Sequence, residues 1–325
     1  MDRKKVLVIR FSSIGDIVLT SPIVRTIAIQ KKWDVHFITK AKYKNVVAGN
    51  PHISKIYTFE KEVTEITTEL KKEDYDLIID LHKNLRSQRL RLILGKPSVS
   101  FNKLNIQKWL MVNFKINLLP ELHLVDRYFK GVEKLGVIND GQGLDYYYSK
   151  NNISIKAPEL PYVVIALGAT YVTKRIQTKQ LHDTIEGIKH KVVIVGGNDV
   201  LEEANELENK YPNIINYVGK INLDESAYLV HHSEYVITGD TGMMHISAAL
   251  KKPMLLFWGS THKSLGMYPY YGDFNIPQID ILNPRINCSP CTKIGNDKCP
   301  KGHFRCMKGI QKNEIHLAIS DIECK

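Results

Sequence analysis

An alternation that repeats along nearly the whole chain limits its possible folds more than any other feature. Short, continuous apolar runs are each followed by a stretch with helical spacing. Residues 5–10 (KVLVIR) form the first run, which ends in the Ser- and Gly-containing loop 11–15. A helical pattern starts near Asp16, with Ile17, Val18, Pro22, Ile23 and Ile27 on roughly one face. Further strands are predicted at 34–39, 53–59 and 75–81. Residues 149–161, with two Asn and two Pro, break the rhythm. It then resumes with strands at 162–167, 191–196, 214–218, 235–238 and 254–258, and helices around 179–190, 200–211, 224–231 and 242–250. Strands alternating with helices call for a parallel sheet covered on both faces, and double-sided burial demands continuous rather than alternating hydrophobicity. The expected class is α/β: two Rossmann-like, doubly wound parallel-sheet domains facing a central cleft. The predicted boundaries are residues 1–150, a linker at 151–160, and 161–325, which holds a Cys-rich loop and a C-terminal helix. A length of 325 residues suits two such domains.

Composition narrows the class further. With 43% hydrophobic and 24% charged residues, the chain is neither collagen-like, disordered nor mucin-like. No apolar run approaches the ~18 residues of a membrane span. The apolar stretch 6–9 is cut by Arg10 and is too short for a signal-peptide core, so a cytoplasmic protein is expected. The net charge is +11, and residues 83–130 carry ten Lys or Arg against two acids. Such a window implies nucleic acid, a membrane surface or a phosphorylated substrate as partner, unless it is simply a solvated basic face.

Three loops follow predicted strands directly. In the first (RFSSIGD, 10–16), Ser13, Gly15 and Asp16 either cap the next helix or carry chemistry; the G-x-G-x-x-G dinucleotide fingerprint is absent. The second (GATYVTKR, 168–175) offers Thr170 and Lys174 as a phosphate grip, or is a basic surface loop. In the third (TGDTGMMH, 238–245) a strand ends in a turn that opens a helix, whose N–H groups at Thr241, Gly242 and Met243 make an anion site. Asp240 there suits sugar hydroxyls and His245 a phosphate, while a plain N-cap with a core-facing histidine is the simpler alternative.

Taken in order, SSIGD, DLHKNLRS (80–87), GATYVTKR, TGDTGMMHISAAL and CSPCTKIGNDKCPKGHFRCM resemble the heptosyltransferase-like family, glycosyltransferase family nine, over residues 5 to about 310. The resemblance implies a GT-B arrangement and inverting transfer of heptose from ADP-heptose to a lipopolysaccharide inner-core acceptor. It implies Asp16 as catalytic base and Lys174 as phosphate-binding lysine. Asp240, Thr241, Gly242 and His245 match the donor-binding helix start. One departure stands out: Ile176-Gln177 replaces the Trp-Pro that often follows Lys-Arg in the family, which bears on how the loop closes over the donor.

Inversion by single displacement needs a base and a means to stabilise the departing diphosphate, but no enzyme nucleophile. A helix N-terminus is expected to keep Asp16 ionised, while N–H groups and Lys174 absorb the leaving charge without metal. No cofactor is implied. The lone D-x-D, Asp74-Tyr75-Asp76, precedes a strand and so belongs to the sheet edge away from a ligand. Acceptor contacts are expected from Ser13, Gly15, His82, Lys83, Arg86 and Arg89, which would meet a lipid-A-linked core. Lys103, Lys108 and Lys115, interleaved with Trp109, Met111, Val112 and Phe114, read either as a helix for an anionic membrane surface or as one packed on the sheet with a solvated basic face. The expected location is thus peripheral, on the inner face of the cytoplasmic membrane. Cys288, Cys291, Cys299 and Cys306 suit either a structural zinc, with His303 as substitute ligand, or a packed loop of reduced thiols. The alternatives are a different nucleotide-sugar donor, a basic nucleic-acid-binding protein, and an NAD-dependent oxidoreductase, the last disfavoured by the missing fingerprint.

Overall fold

A computed structural model describes residues 3–324; Met1, Asp2 and Lys325, the outer ends of the two expected domains, lie outside the described residues. The chain forms two compact units. The first holds the residues up to Lys103, Leu122–Ser149 and Tyr270–Phe274; the second holds Leu104–Glu121, Lys150–Pro269 and the residues from Asn275 onward. Residues 104–121, together with Lys108 and Lys115 of the basic window, therefore group with the second unit.

The first unit is built on a five-stranded sheet ordered β3-β2-β1-β4-β5. Its strands are β1 Lys5–Ile9, β2 Asp34–Lys40, β3 Lys55–Phe59, β4 Leu77–Asp80 and β5 Ser98–Ser100, all paired parallel. The second unit carries a six-stranded sheet ordered β11-β10-β9-β6-β7-β8. These strands are β6 Tyr162–Ala166, β7 Lys191–Val195, β8 Ile214–Asn216, β9 Val236–Gly239, β10 Met254–Phe257 and β11 Gln278–Ile281, again parallel throughout. The central strands are buried on both faces, as their unbroken apolar runs require: Val6 to Ile9 and Tyr162 to Ile165 are fully covered.

Two strands escape the sequence pattern. β5 and β11 lie at sheet edges, where one flank is open, so their residues are mostly half-buried and no continuous apolar run marks them. The helical pattern after β1 also resolves into two pieces, Ile14–Val18 and Ser21–Lys31. Thr20 Oγ1 donates to the Ile17 carbonyl at 2.7 Å, and Pro22 sits in the first turn of the second piece, so the helix ends and restarts. In the second unit, helix Lys312–Glu323 buries Ile315, Ala318, Ile319 and Ile322 at helical spacing.

The topology also fixes where ligands can bind. In the first sheet, chain order runs outward through β1, β2, β3 to one side and through β4, β5 to the other, so its switch point lies between β1 and β4. In the second sheet the corresponding point lies between β6 and β9. Loops leaving neighbouring strands in opposite directions open a crevice beyond the carboxyl ends, the general ligand site of such sheets.

Candidate functional site

All four loops that border the two switch points carry candidate residues. In the first unit, Arg10 ends the strand β1 run and Asp16 lies one turn into the following helix. Arg10 Nη2 meets Asp16 Oδ1 at 2.6 Å; the arginine side chain is 9% exposed and the aspartate 23%. Arg10 also donates to the carbonyls of Ser12 and Leu81 and to the Tyr128 hydroxyl. Ser13, itself exposed, donates both N–H (3.2 Å) and Oγ (2.9 Å) to Asp16 Oδ2. The Asp16 carboxylate is thus fixed in orientation yet reachable, and Gly15 beside it is buried.

Across the switch point, Asp80 at the end of β4 is fully buried and organises the next loop. It accepts from the N–H groups of His82 (3.0 Å) and Lys83 (2.7 Å) and from Ser87 Oγ (2.8 Å). Asn84 caps the helix Leu85–Leu94 by accepting from Ser87 N. The expected acceptor residues divide here. Arg86 and Arg89 are exposed on that helix, whereas Lys83 Nζ is engaged at 2.7 Å by the Phe101 carbonyl. Burial and the charges of Arg10 and Lys103 push the His82 imidazole down to about 3, so it is neutral and offers hydrogen bonding rather than charge. The loop pattern alone does not mark Asp80 as a site residue, although its place at the end of β4, two residues before His82, is a legible signal.

In the second unit, loop 168–175 lies against the ends of β9 and β10. A Cβ on Gly239 would stand 2.5 Å from the Lys174 carbonyl, and one on Gly259 would stand 2.4 Å from that of Thr173. Such close backbone approach needs glycine at both places. Lys174 Nζ pairs with Asp240 Oδ2 at 2.8 Å, and Thr261 Oγ1 donates to the same oxygen at 2.7 Å. Thr241 caps helix Gly242–Ala249, accepting from Met244 N at 3.4 Å and meeting Thr238 Oγ1 at 3.1 Å. A half-buried ammonium thus stands beside a capped helix start, where Thr241, Gly242 and Met243 are themselves half-buried. This arrangement suits a multiply charged anion. Thr170 is exposed on the same loop, and His245 is only 2% exposed, turned into the unit. Ile176 is buried in the core of this unit, and Gln177 precedes helix Thr178–Gly187, so the position that departs from the family pattern remains an apolar anchor.

The D-x-D pair lies at the opposite strand ends. Asp76 Oδ2 accepts from the N–H of Lys5, the first residue of β1, and Asp74 pairs with Lys96. The cysteines are free thiols. Cys288 Sγ lies 3.8 Å from His303 Nε2, Phe304 N donates to Cys299 Sγ at 3.4 Å, and burial pushes the Cys306 thiol up to about 12. Among the described residues, no three His, Cys, Asp or Glu side chains are grouped so as to hold a metal ion. Besides burial, the neighbouring Cys291, Cys288 and Cys299 raise the Cys306 thiol, so the four cysteines of this segment lie near one another.

Two doubly wound parallel sheets, each with polar and charged loops at its switch point, make up an architecture of GT-B type. The sequence pattern of glycosyltransferase family 9 (heptosyltransferase) matches residues 63–299, and the chain belongs to that family. It is 22% identical over 289 residues to lipopolysaccharide heptosyltransferase 1 of Campylobacter coli, covering 79% of this chain and 84% of that one. A glycosyltransferase family 9 structure from Veillonella parvula superposes with a TM-score of 0.75 at 19% identity, over 99% and 98% of the two chains. An Escherichia coli heptosyltransferase solved with ADP superposes at 0.69 and 17% identity, over 98% and 99%.

Proposed function

We propose that the protein transfers heptose from ADP-heptose to a lipid-A-linked inner-core acceptor of lipopolysaccharide, with inversion and without metal. The observation that carries this reading is the Lys174–Asp240 pair at the capped start of helix Gly242–Ala249. A diphosphate placed there accepts hydrogen bonds from the helix N–H groups and charge from Lys174, while Asp240 accepts from sugar hydroxyls. As the anomeric bond breaks, negative charge grows on the departing ADP, and fixed donors stabilise it more than they stabilise the ground state. Asp16 takes the acceptor proton. As a weak base it does so late, when the acceptor oxygen is already bonding to the anomeric carbon. Arg10 and Ser13 hold its carboxylate for that task. Arg86 and Arg89, exposed after β4, meet acceptor phosphates or carboxylates, joined by neutral His82 as a hydrogen-bonding group.

Metal independence is supported by the engagement of Asp74 and Asp76 at the wrong strand ends, and by a cation already present beside the helix start. No helix among the described residues is long and apolar enough to cross a membrane, and we place the enzyme peripherally on the inner face of the cytoplasmic membrane, where a lipid-anchored acceptor resides. Calorimetry with ADP, UDP, GDP and ADP-heptose tests the donor. ADP compounds should bind at least tenfold more tightly than the others; preference for another nucleotide would transfer the mechanism to another donor.

A further inference from the structure

Helix Asn105–Phe114 and the residues after it are built inside out. Their largest apolar side chains face solvent: Ile106 is 73% exposed, Trp109 49%, Phe114 59%, Ile116 49% and Leu118 60%. Met111 is the one buried residue of the helix. Trp109 and Phe114 pack edge-to-face, ring centroids 5.2 Å apart, into a single aromatic projection.

What anchors this segment is polar. Lys115 Nζ donates to the carbonyls of Cys288 (2.8 Å) and Pro290 (2.6 Å), and Lys293 Nζ reaches the Asn105 carbonyl at 3.4 Å. The Cys-rich segment is therefore the bed of the helix, and in it Ile294, next in the chain to Lys293, is 59% exposed. Lys298, Lys301, Arg305 and Lys308 of that segment are exposed. Residues 104–121 and 286–309 together carry seven Lys or Arg against two acids, Glu121 and Asp297.

From this juxtaposition we propose that the face formed by Ile106, Trp109, Phe114, Ile116, Leu118 and Ile294, rimmed by lysines, seats in the interfacial layer of a bilayer containing anionic lipid. Aromatic and aliphatic side chains entering the headgroup boundary with a cationic surround is the pattern of interfacial docking. The charge argues against a second copy of the chain, since a two-fold contact would bring the same lysines together. The inference rests on the peripheral location proposed above and assigns the face that makes it; none of these residues belongs to the proposed donor or acceptor set, so failure of vesicle binding is distinguishable from failure of the chemistry.

The test is flotation of the full chain with vesicles of phosphatidylglycerol and phosphatidylcholine against vesicles of phosphatidylcholine alone. Wild type should partition at least tenfold more strongly to the anionic vesicles, and more weakly as salt rises. Trp109→Ser/Phe114→Ser should bind at least tenfold more weakly at an unchanged melting temperature. Lys298→Gln and Lys301→Gln should each cost about fivefold. In the unmodified chain, brominated lipid should quench tryptophan fluorescence, and the double variant should lose that quenching although Trp33 and Trp258 remain. Equal binding by wild type and double variant, or no preference for anionic vesicles, overturns the proposal. So does a wild-type dimer that the double variant dissolves with vesicle binding unaltered.

Discussion

Replacing Asp16 tests both what the carboxylate does for the fold and what it does for the reaction. At 2.6 Å from a 9% exposed guanidinium, two unit charges interact by about 6 kcal/mol at an effective dielectric of ~20. Most of that is offset by desolvation, and Arg10 keeps the Ser12 and Leu81 carbonyls and the Tyr128 hydroxyl when the aspartate is gone. Asp16 is also 23% exposed. The expected loss for Asp16→Ala is therefore about 2–3 kcal/mol, below the 3–5 of a fully buried pair, or roughly 5–10 °C in melting temperature. Asp16→Asn keeps a hydrogen-bond acceptor for Arg10 and should lose less. Turnover separates the two roles. Without a proton acceptor, Asp16→Asn should fall by roughly 10²–10⁴ in kcat, while ADP affinity by calorimetry stays within about twofold. If Asp16→Asn turned over within tenfold of wild type while Asp16→Ala melted early, the carboxylate would be a structural partner of Arg10 and the base assignment would fail.

Lys174→Met should weaken ADP binding at least tenfold, and Asp240→Asn, which frees Lys174 from its partner, should weaken it less; calorimetry that finds both unchanged would remove this loop from the donor site. His82 gives a pH signature. Its folded pKa of about 3 lies below the ordinary 6.5, so below pH 6.5 the unfolded chain binds the extra proton, and stability falls with pH by up to ~1.4 kcal/mol per unit until the folded value is reached. Urea titrations of His82→Gln should show a shallower acid slope between pH 6.5 and 4, and an identical slope would show that His82 protonates freely in the fold. Asp74→Asn/Asp76→Asn should leave transfer within twofold of wild type, and short EDTA treatment should leave it unchanged; loss restored by magnesium would bring a metal into the reaction.

The β/α alternation was legible because it is local: a doubly buried strand needs an unbroken apolar run, and β1, β4, β6, β9 and β10 each supply one within a few residues. The motif loops were legible for a related reason, since a loop directly after a strand in a parallel sheet must emerge at its carboxyl end. Asp16, His82, Lys174 and Asp240 accordingly stand beyond the carboxyl ends of their strands, a placement that does not depend on strand order.

Strand order brought these loops together in pairs, and it follows from pairing between residues far apart in the chain. The partners of the charges are likewise non-local. Lys83 is held by the Phe101 carbonyl and Lys115 by those of Cys288 and Pro290, so two cations counted toward a basic surface also tie distant segments together. His82 loses its charge to burial beside Arg10, and His245 turns inward. Helical spacing describes Trp109 and Phe114 equally well as core or as surface, and packing turned both outward. Periodicity specifies which side chains share a face, but which face meets solvent depends on neighbours hundreds of residues away, and only the folded chain supplies them.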